Sequence, residues 1–267
     1  MSYAEVNGQR LFFEDSGGAS SGTDSRPVVL FSHGFLMDHE MFAPQVAALA
    51  GEFRCITWDE RAFGATDFDG KPFTYWDSAS DAIGLLDHLG IERAVLAGMS
   101  QGGFLSLRAA LASPDRVQAL VLIDTQSGGE DPAVLEGYKG MTSDWLANGP
   151  VNVGGFVAGL IIGDPAIEPA WLAKWEKLPR ENMGLASECL YERDDITSRL
   201  GEITCPALIV HGTADTAIPM EKAEALADAL PDCRGLVRVE GAAHAANLTH
   251  PDQVNGPLAE FLRSVTG

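Results

Sequence analysis

Basic residues are in short supply. The chain carries 18 Lys and Arg against 38 Asp and Glu, a formal charge of -20 over 267 residues. Such a surface repels phosphate backbones and anionic lipid headgroups, which argues against a nucleic-acid-binding or membrane-surface protein. The acidic residues are scattered rather than clustered, as on a solvated surface. Cysteine is scarce as well. Cys55, Cys189, Cys205 and Cys233 show no C-x-x-C spacing. A disulfide scaffold and a zinc site are therefore disfavoured, and buried, reduced thiols in a cytoplasmic protein are expected. No run is long and apolar enough to span a bilayer. The opening Met1-Ser2-Tyr3-Ala4-Glu5 lacks the charged and apolar regions of a secretory signal. With no nucleotide-binding loop and no metal-ligand spacing, neither a cofactor nor a metal is expected.

The most informative stretch is Leu96-Ala97-Gly98-Met99-Ser100-Gln101-Gly102-Gly103-Phe104. Residues 94–97 read as a buried strand and 104–112 as a helix. Between them Gly98, Ser100 and Gly102 form G-x-S-x-G, the nucleophile elbow. A strand that turns at once into a helix passes through a tight, strained turn, where a side chain at either glycine would clash. The turn holds the Ser100 hydroxyl above the sheet edge and aims the free N–H groups of the helix start at the same point.

The rest of the chain alternates strand-like and helix-like segments. Residues 3–6 and 9–14 flank Asn7-Gly8, a hairpin signal. Residues 16–26, rich in Gly and Ser, read as a surface loop. Buried strands are expected over 27–32, 53–58, 117–123, 207–211 and 235–239, and helices over 41–50, 75–89, 221–230 and 251–265. Gly90 is placed to end the second of these helices and Pro251 to start the last. From 125 to 199 the rhythm breaks into short helical pieces punctuated by Pro and Gly. This segment reads as a helical cap inserted in a core of residues 1–124 and 200–267. The core is an α/β fold: a mostly parallel sheet with helices on both faces.

In such a sheet chemistry sits at the carboxyl ends of the strands. The polar residues there are His33, Asp59, Ser100, Asp124, Asp215 and His244. A serine hydroxyl needs a base within reach and a third group to orient that base. Ser100, Asp215 and His244 supply all three in the order Ser, Asp, His. Over nearly its whole length the chain resembles the α/β-hydrolase superfamily. His33-Gly34 resembles the oxyanion loop, Gly98 to Gly103 the elbow, His211-Gly212-Thr213-Ala214-Asp215 the acid loop, and Gly241-Ala242-Ala243-His244 the histidine loop. Residues 192–210 resemble the cap-to-core return of small bacterial esterases and enol-lactonases. Two positions depart from the family pattern: Ala62 stands where Arg-Gly-x-Gly is common, and Ala243 where Gly-His is common. The first departure raises a loop of different shape.

Asp124 competes with Asp215 for the acid role, since some relatives place the acid after the strand that ends there. Its structural reading is a carboxylate capping the loop into the cap. His33 and His211 are expected to brace loops, Asp59 to fix its own loop, His39 and His88 to be exposed, and His250 to be a surface residue. The resemblance implies attack of Ser100 on an ester carbonyl, with backbone N–H groups of Phe35 and Gln101 receiving the oxyanion. Trp145, Phe156, Leu160, Ile161 and Trp171 are candidates to line an apolar substrate pocket, or to pack the cap onto the sheet. The expected partner is a small-molecule ester or lactone. Four readings stand side by side: carboxylesterase, lactonase of the enol-lactonase type, carbon–carbon bond hydrolase, and a non-catalytic ligand receptor on the same fold.

Overall fold

The computed structural model describes residues 2–17 and 24–267. Residues 18–23, part of the loop expected over 16–26, lie outside the described residues. Strands β1 (Ser2–Val6) and β2 (Gln9–Asp15) pair antiparallel across Asn7-Gly8. Both turn residues have positive φ, 48° and 80°, as the favoured two-residue hairpin turn requires. Then come β3 (Val28–Ser32), α1 (Ala43–Leu49), β4 (Arg54–Trp58), α2 (Tyr75–His88), β5 (Ala94–Met99), α3 (Gln101–Ala112) and β6 (Val117–Ile123). Four helices follow without a strand: α4 (Pro132–Asn148), α5 (Gly154–Ile161), α6 (Glu168–Trp175) and α7 (Arg180–Tyr191). The alternation resumes with β7 (Ala207–Gly212), α8 (Met220–Ala229), β8 (Cys233–Val239), α9 (Ala246–Thr249) and α10 (Pro251–Thr266).

The eight strands form one sheet in the order β1-β2-β4-β3-β5-β6-β7-β8. Among the described strands the β1–β2 and β2–β4 pairings are antiparallel and the other five parallel. Every residue of β4, β5 and β7 is buried, which is why these strands read as continuous apolar runs rather than as alternating ones. On α2 a capping box between Thr74 and Asp77 starts the helix, and Ala79, Ala82, Leu85 and Leu86 turn inward. Gly90 follows it at φ 67°. Helix α3 starts at Gln101, three residues before the expected 104, because Gly103 and Phe104 donate directly to the Ser100 carbonyl at 2.9 and 3.1 Å. The paired glycines lower helix propensity but do not stop a helix already begun at the turn.

The inserted helices are rooted in the core at several points. The Ile196 N–H donates to the Ser127 carbonyl at 3.2 Å, so the segment leaves and returns side by side. Arg108 of α3, 1% exposed, donates to both the carboxylate and the carbonyl of Asp194 at 2.7 Å. Lys174 of α6 pairs with Asp38 and Glu40 at 2.7 and 2.9 Å. Inside the segment Trp145 and Trp175 pack at 6.0 Å between ring centroids.

All four cysteines are free; Cys55 and Cys189 are buried, but Cys205 and Cys233 are only half-buried. Burial pushes the Cys55 thiol up to about 12. His88 is exposed as expected. His39 is not: it is half-buried, with Nδ1 2.7 Å from the fully buried Asp59 carboxylate. Among the described residues no helix is long and apolar enough to cross a membrane.

Candidate active site

Ser100 sits where β5 turns into α3, at the middle of the sheet. Its φ of 50° and ψ of -111° lie in a region that side-chain-bearing residues rarely adopt. The turn closes so tightly that a Cβ on Gly98 would stand 2.0 Å from the Gly102 carbonyl oxygen, and one on Gly102 would stand 2.0 Å from the Ser32 carbonyl oxygen. Both glycines are therefore dictated by backbone approach. Thr125 fixes the far side by donating to the Ser100 carbonyl at 2.7 Å.

The next parallel strands bring the partners along the same edge. Asp215 follows β7 and His244 follows β8; the imidazole Nδ1 is 2.8 Å from Asp215 Oδ2. The other Asp215 oxygen accepts the N–H groups of Ala217 and Ile218 at 2.8 and 3.0 Å. Burial alone would lower the His244 pKa, but the Asp215 charge and hydrogen bond outweigh it, helped by Asp124 and Glu130, and hold it above the ordinary imidazole value. Burial alone would likewise raise the Asp215 carboxyl, and the His244 pairing holds it below its ordinary value. With Asp215 on Nδ1, the Nε2 atom is left for a reacting group.

Asp124 does a different job from either one expected of it. It is fully buried at the end of β6, and its two oxygens accept the Gly212 N–H at 2.8 Å and the Ala246 N–H at 3.0 Å. It thus ties the loop carrying Asp215 to the loop carrying His244, instead of capping the entry to the inserted helices. Burial, then the nearby Asp215 charge, push its carboxyl well above the ordinary range. Ligand-type atoms of Asp124, His211 and Asp215 lie within 4.8 Å of one another. Both carboxylates, however, are engaged by backbone N–H groups, and His211 Nε2 donates to the Ile218 carbonyl at 2.8 Å. The donor set is turned into the protein and does not form an open metal site. His33 also braces a loop: Nδ1 donates to the Gly34 carbonyl at 2.8 Å and Nε2 accepts from the Glu60 N–H at 3.0 Å. Asp59 fixes its loop through the Ala65 N–H at 2.7 Å. His250 is half-buried beside Thr249 at the start of α10.

On the opposite side of Ser100 lies the turn His33-Gly34-Phe35-Leu36, closed by the Met37 N–H on the Gly34 carbonyl at 3.0 Å. Leu36 stands at φ 62°. Its carbonyl accepts the Trp175 indole N–H at 2.6 Å, a contact from the inserted helices that sequence reasoning missed. The Gln101 N–H is the first of α3, where a helix offers it no internal acceptor. The adjoining loop contains Ala62, whose φ of 72° is the left-handed value a glycine adopts without strain. Beneath the turn, Gln101 donates to the buried Glu60 at 3.1 Å and accepts from Tyr75 at 3.3 Å. Burial, then the Asp81 and Asp59 charges, push the Glu60 carboxyl well up.

Ser100 and His244 open into one cavity of about 90 Å³. Phe35, Leu36 and Phe104 line its floor from the core; Trp145, Leu160 and Ile161 line it from the inserted helices. Two candidates lie elsewhere. Phe156 is 66% exposed on α5, and Trp171 is buried on α6 with Lys174 stacked on its ring at 4.3 Å, neither of them lining the cavity. Glu130, Tyr138, Thr142 and Tyr191 line it without having been singled out from the sequence.

A family model described as the alpha/beta hydrolase fold matches residues 27–251. A thermophilic esterase from Thermogutta terrifontis superimposes over 100% of both chains, with a TM-score of 0.90 and 28% identity. An enol-lactonase from Burkholderia xenovorans superimposes over 98% of this chain and 100% of its own, with a TM-score of 0.86 and 27% identity. A Synechocystis protein whose name groups it with the non-heme chloroperoxidases is 28% identical over 95% of each chain. The names of these three proteins give different activities.

Proposed function

Because this chain belongs to the α/β-hydrolase fold family, we propose that it is a serine hydrolase cleaving carboxylic esters through an acyl-enzyme. Ser100 is the nucleophile, His244 the general base, Asp215 the group that orients and charges the base, and residues 125–199 the cap. The observation that carries this reading is one cavity shared by a strained Ser100 and a His244 held on Asp215 at 2.8 Å. His244 Nε2 takes the hydroxyl proton as Ser100 attacks the carbonyl carbon. The backbone N–H groups of Phe35 and Gln101 receive the oxyanion, an interaction worth about 100-fold or more in rate per donor. The protonated imidazole then returns its proton to the leaving alkoxide. Water, with His244 again as base, attacks the acyl-enzyme and releases the acid and Ser100.

The test is a panel of initial rates on open-chain p-nitrophenyl esters and on γ- and δ-lactones, with Ser100→Ala as the blank. Turnover that disappears in Ser100→Ala and His244→Ala but survives in His250→Ala is the expected result; activity retained in Ser100→Ala would sink the scheme. The base must be neutral to act, and Asp215 raises its pKa. The acid limb of kcat/KM against pH is therefore expected above the ordinary imidazole range. A lactone substrate is the second reading, favoured by the likeness to the Burkholderia enol-lactonase. Rates higher on the lactones than on matched open-chain esters would select it.

A further inference from the structure

Among the described residues no Lys or Arg lines the cavity beside Ser100, whereas Glu130 does. The Glu130 side chain is 12% exposed and its partner Arg193 only 2%. Arg193 is turned away. It donates to the Gly128 carbonyl at 3.1 Å, the Leu190 carbonyl at 2.8 Å and Glu130 Oε1 at 2.5 Å, and its guanidinium lies 4.6 Å over the Phe104 ring. Gln126 donates to the same Glu130 oxygen at 3.0 Å. The cation that a substrate carboxylate would need is therefore fully engaged behind the wall, and the group presented in the wall is itself a carboxylate. The His244 ring belongs to the pair with Asp215, and the Trp145 indole N–H, buried without a partner, carries no charge.

The space is small as well. An apolar cavity of about 150 Å³ holds the six carbons of benzene. At about 90 Å³, this one takes about four carbons by the same measure.

We propose, resting on the ester-hydrolase reading above, that the site favours uncharged esters of short acids, about four acyl carbons, and rejects acyl groups that end in a carboxylate. A carboxylate brought into this cavity would lose its water and meet no free cation, because the one nearby guanidinium is already taken by Glu130. The uncharged chain of the same length loses nothing comparable.

Alkyl esters test this with the intact protein. Methanol release is measured from methyl butyrate, methyl octanoate and monomethyl succinate, with Ser100→Ala as the blank. Methyl butyrate is expected to exceed monomethyl succinate, whose acyl chain has as many carbons, in kcat/KM by about 100-fold or more, and to exceed methyl octanoate as well. Glu130→Gln, which removes the carboxylate and leaves the Arg193 guanidinium without its partner, is expected to shrink the butyrate-to-succinate ratio about tenfold or more. The wild-type ratio decides the matter even if that variant folds poorly. A ratio within about threefold of one, or one that Glu130→Gln leaves unchanged, overturns the proposal. So does a ratio that collapses in about 0.5 M salt, because long-range repulsion from the acidic surface is screened there and a buried charge is not. Absence of turnover on every uncharged ester overturns the ester-hydrolase reading itself, and this proposal with it.

Discussion

The two flanks of Ser100 are fastened by different parts of the chain. On the histidine flank, Asp124 at the end of β6 accepts one N–H from each of the loops that carry Asp215 and His244. Both of those bonds lie within the core. On the other flank, the turn carrying Phe35 and Leu36 is held by Trp175 from α6, through the Leu36 carbonyl at 2.6 Å. Leu36 occupies the left-handed region at φ 62°, a conformation that a side chain makes costly and that the surroundings must sustain. The His244–Asp215 pair is thus anchored by bonds from the core, while the Phe35–Leu36 turn takes one from the inserted helices. In the proposed mechanism, proton transfer rests on the sheet and charge stabilisation on how the inserted segment is docked.

Breaking the histidine flank is expected to have the larger effect. Asp124→Ala leaves two buried N–H groups without an acceptor, at about 1–3 kcal/mol each. It frees two loops whose relative position sets the reacting geometry, where a displacement of about 1 Å costs about 100-fold. The expected outcome is a fall in both Tm and kcat. An unchanged kcat would mean that Asp215 and His244 hold their own positions. Trp175→Phe probes the other flank: it keeps the aromatic packing and removes only the indole N–H. The loss in kcat is expected at about tenfold, short of the ~100-fold that follows outright loss of an oxyanion donor, with KM little changed. A fall in stability without a split between kcat and KM would make Trp175 a packing residue only.

The smallest effect sharpens the comparison through pH. Glu60 supports the first residue of α3 from below, and its pKa is raised by burial. The folded protein therefore holds this proton more tightly than the unfolded chain does. The stability it contributes is fully present below the ordinary Glu range and is lost as pH rises, by up to about 1.4 kcal/mol per pH unit. Glu60→Gln carries no such proton. Melting curves of the variant and the parent are expected to draw apart progressively above the ordinary Glu range, with the variant gaining. Parallel curves would mean that Glu60 stays ionised in the fold.

Much of the frame was legible in the residues. Val28-Val29-Leu30-Phe31 announces a strand covered on both faces, Asn7-Gly8 a hairpin, and Pro251 a helix start. Gly98 and Gly102 are readable because backbone packing dictates them within five residues. The site became less legible as its contacts became less local. The cavity wall includes Glu130 and omits Phe156. Helix α5 reads Gly-Gly-Phe-Val-Ala-Gly-Leu-Ile, which has no polar residue to mark a solvent face, so periodicity cannot tell Phe156 from Leu160. The bond from Trp175 to Leu36 joins residues 139 positions apart, and nothing in either neighbourhood signals it. Ala62 shows the converse. The loop was open to a different shape, and it takes instead the left-handed φ that glycine adopts without strain.

The side-by-side roots of the inserted helices make them exchangeable in principle. A bridge already joins Ser127 to Ile196, and the two hydroxyls of Ser127 and Thr197 meet at 2.8 Å beside it. The chain between can lengthen or shorten with only a slow change in closure entropy, so on the proposed reading of this segment as a cap, another could be grafted between the same roots. A graft that kept the Ser–His–Asp geometry but brought no donor to the Leu36 carbonyl would inherit a working proton relay and a slack anion cradle. In a lineage that swaps lids, selection on substrate choice and selection on rate would therefore act on the same few helices.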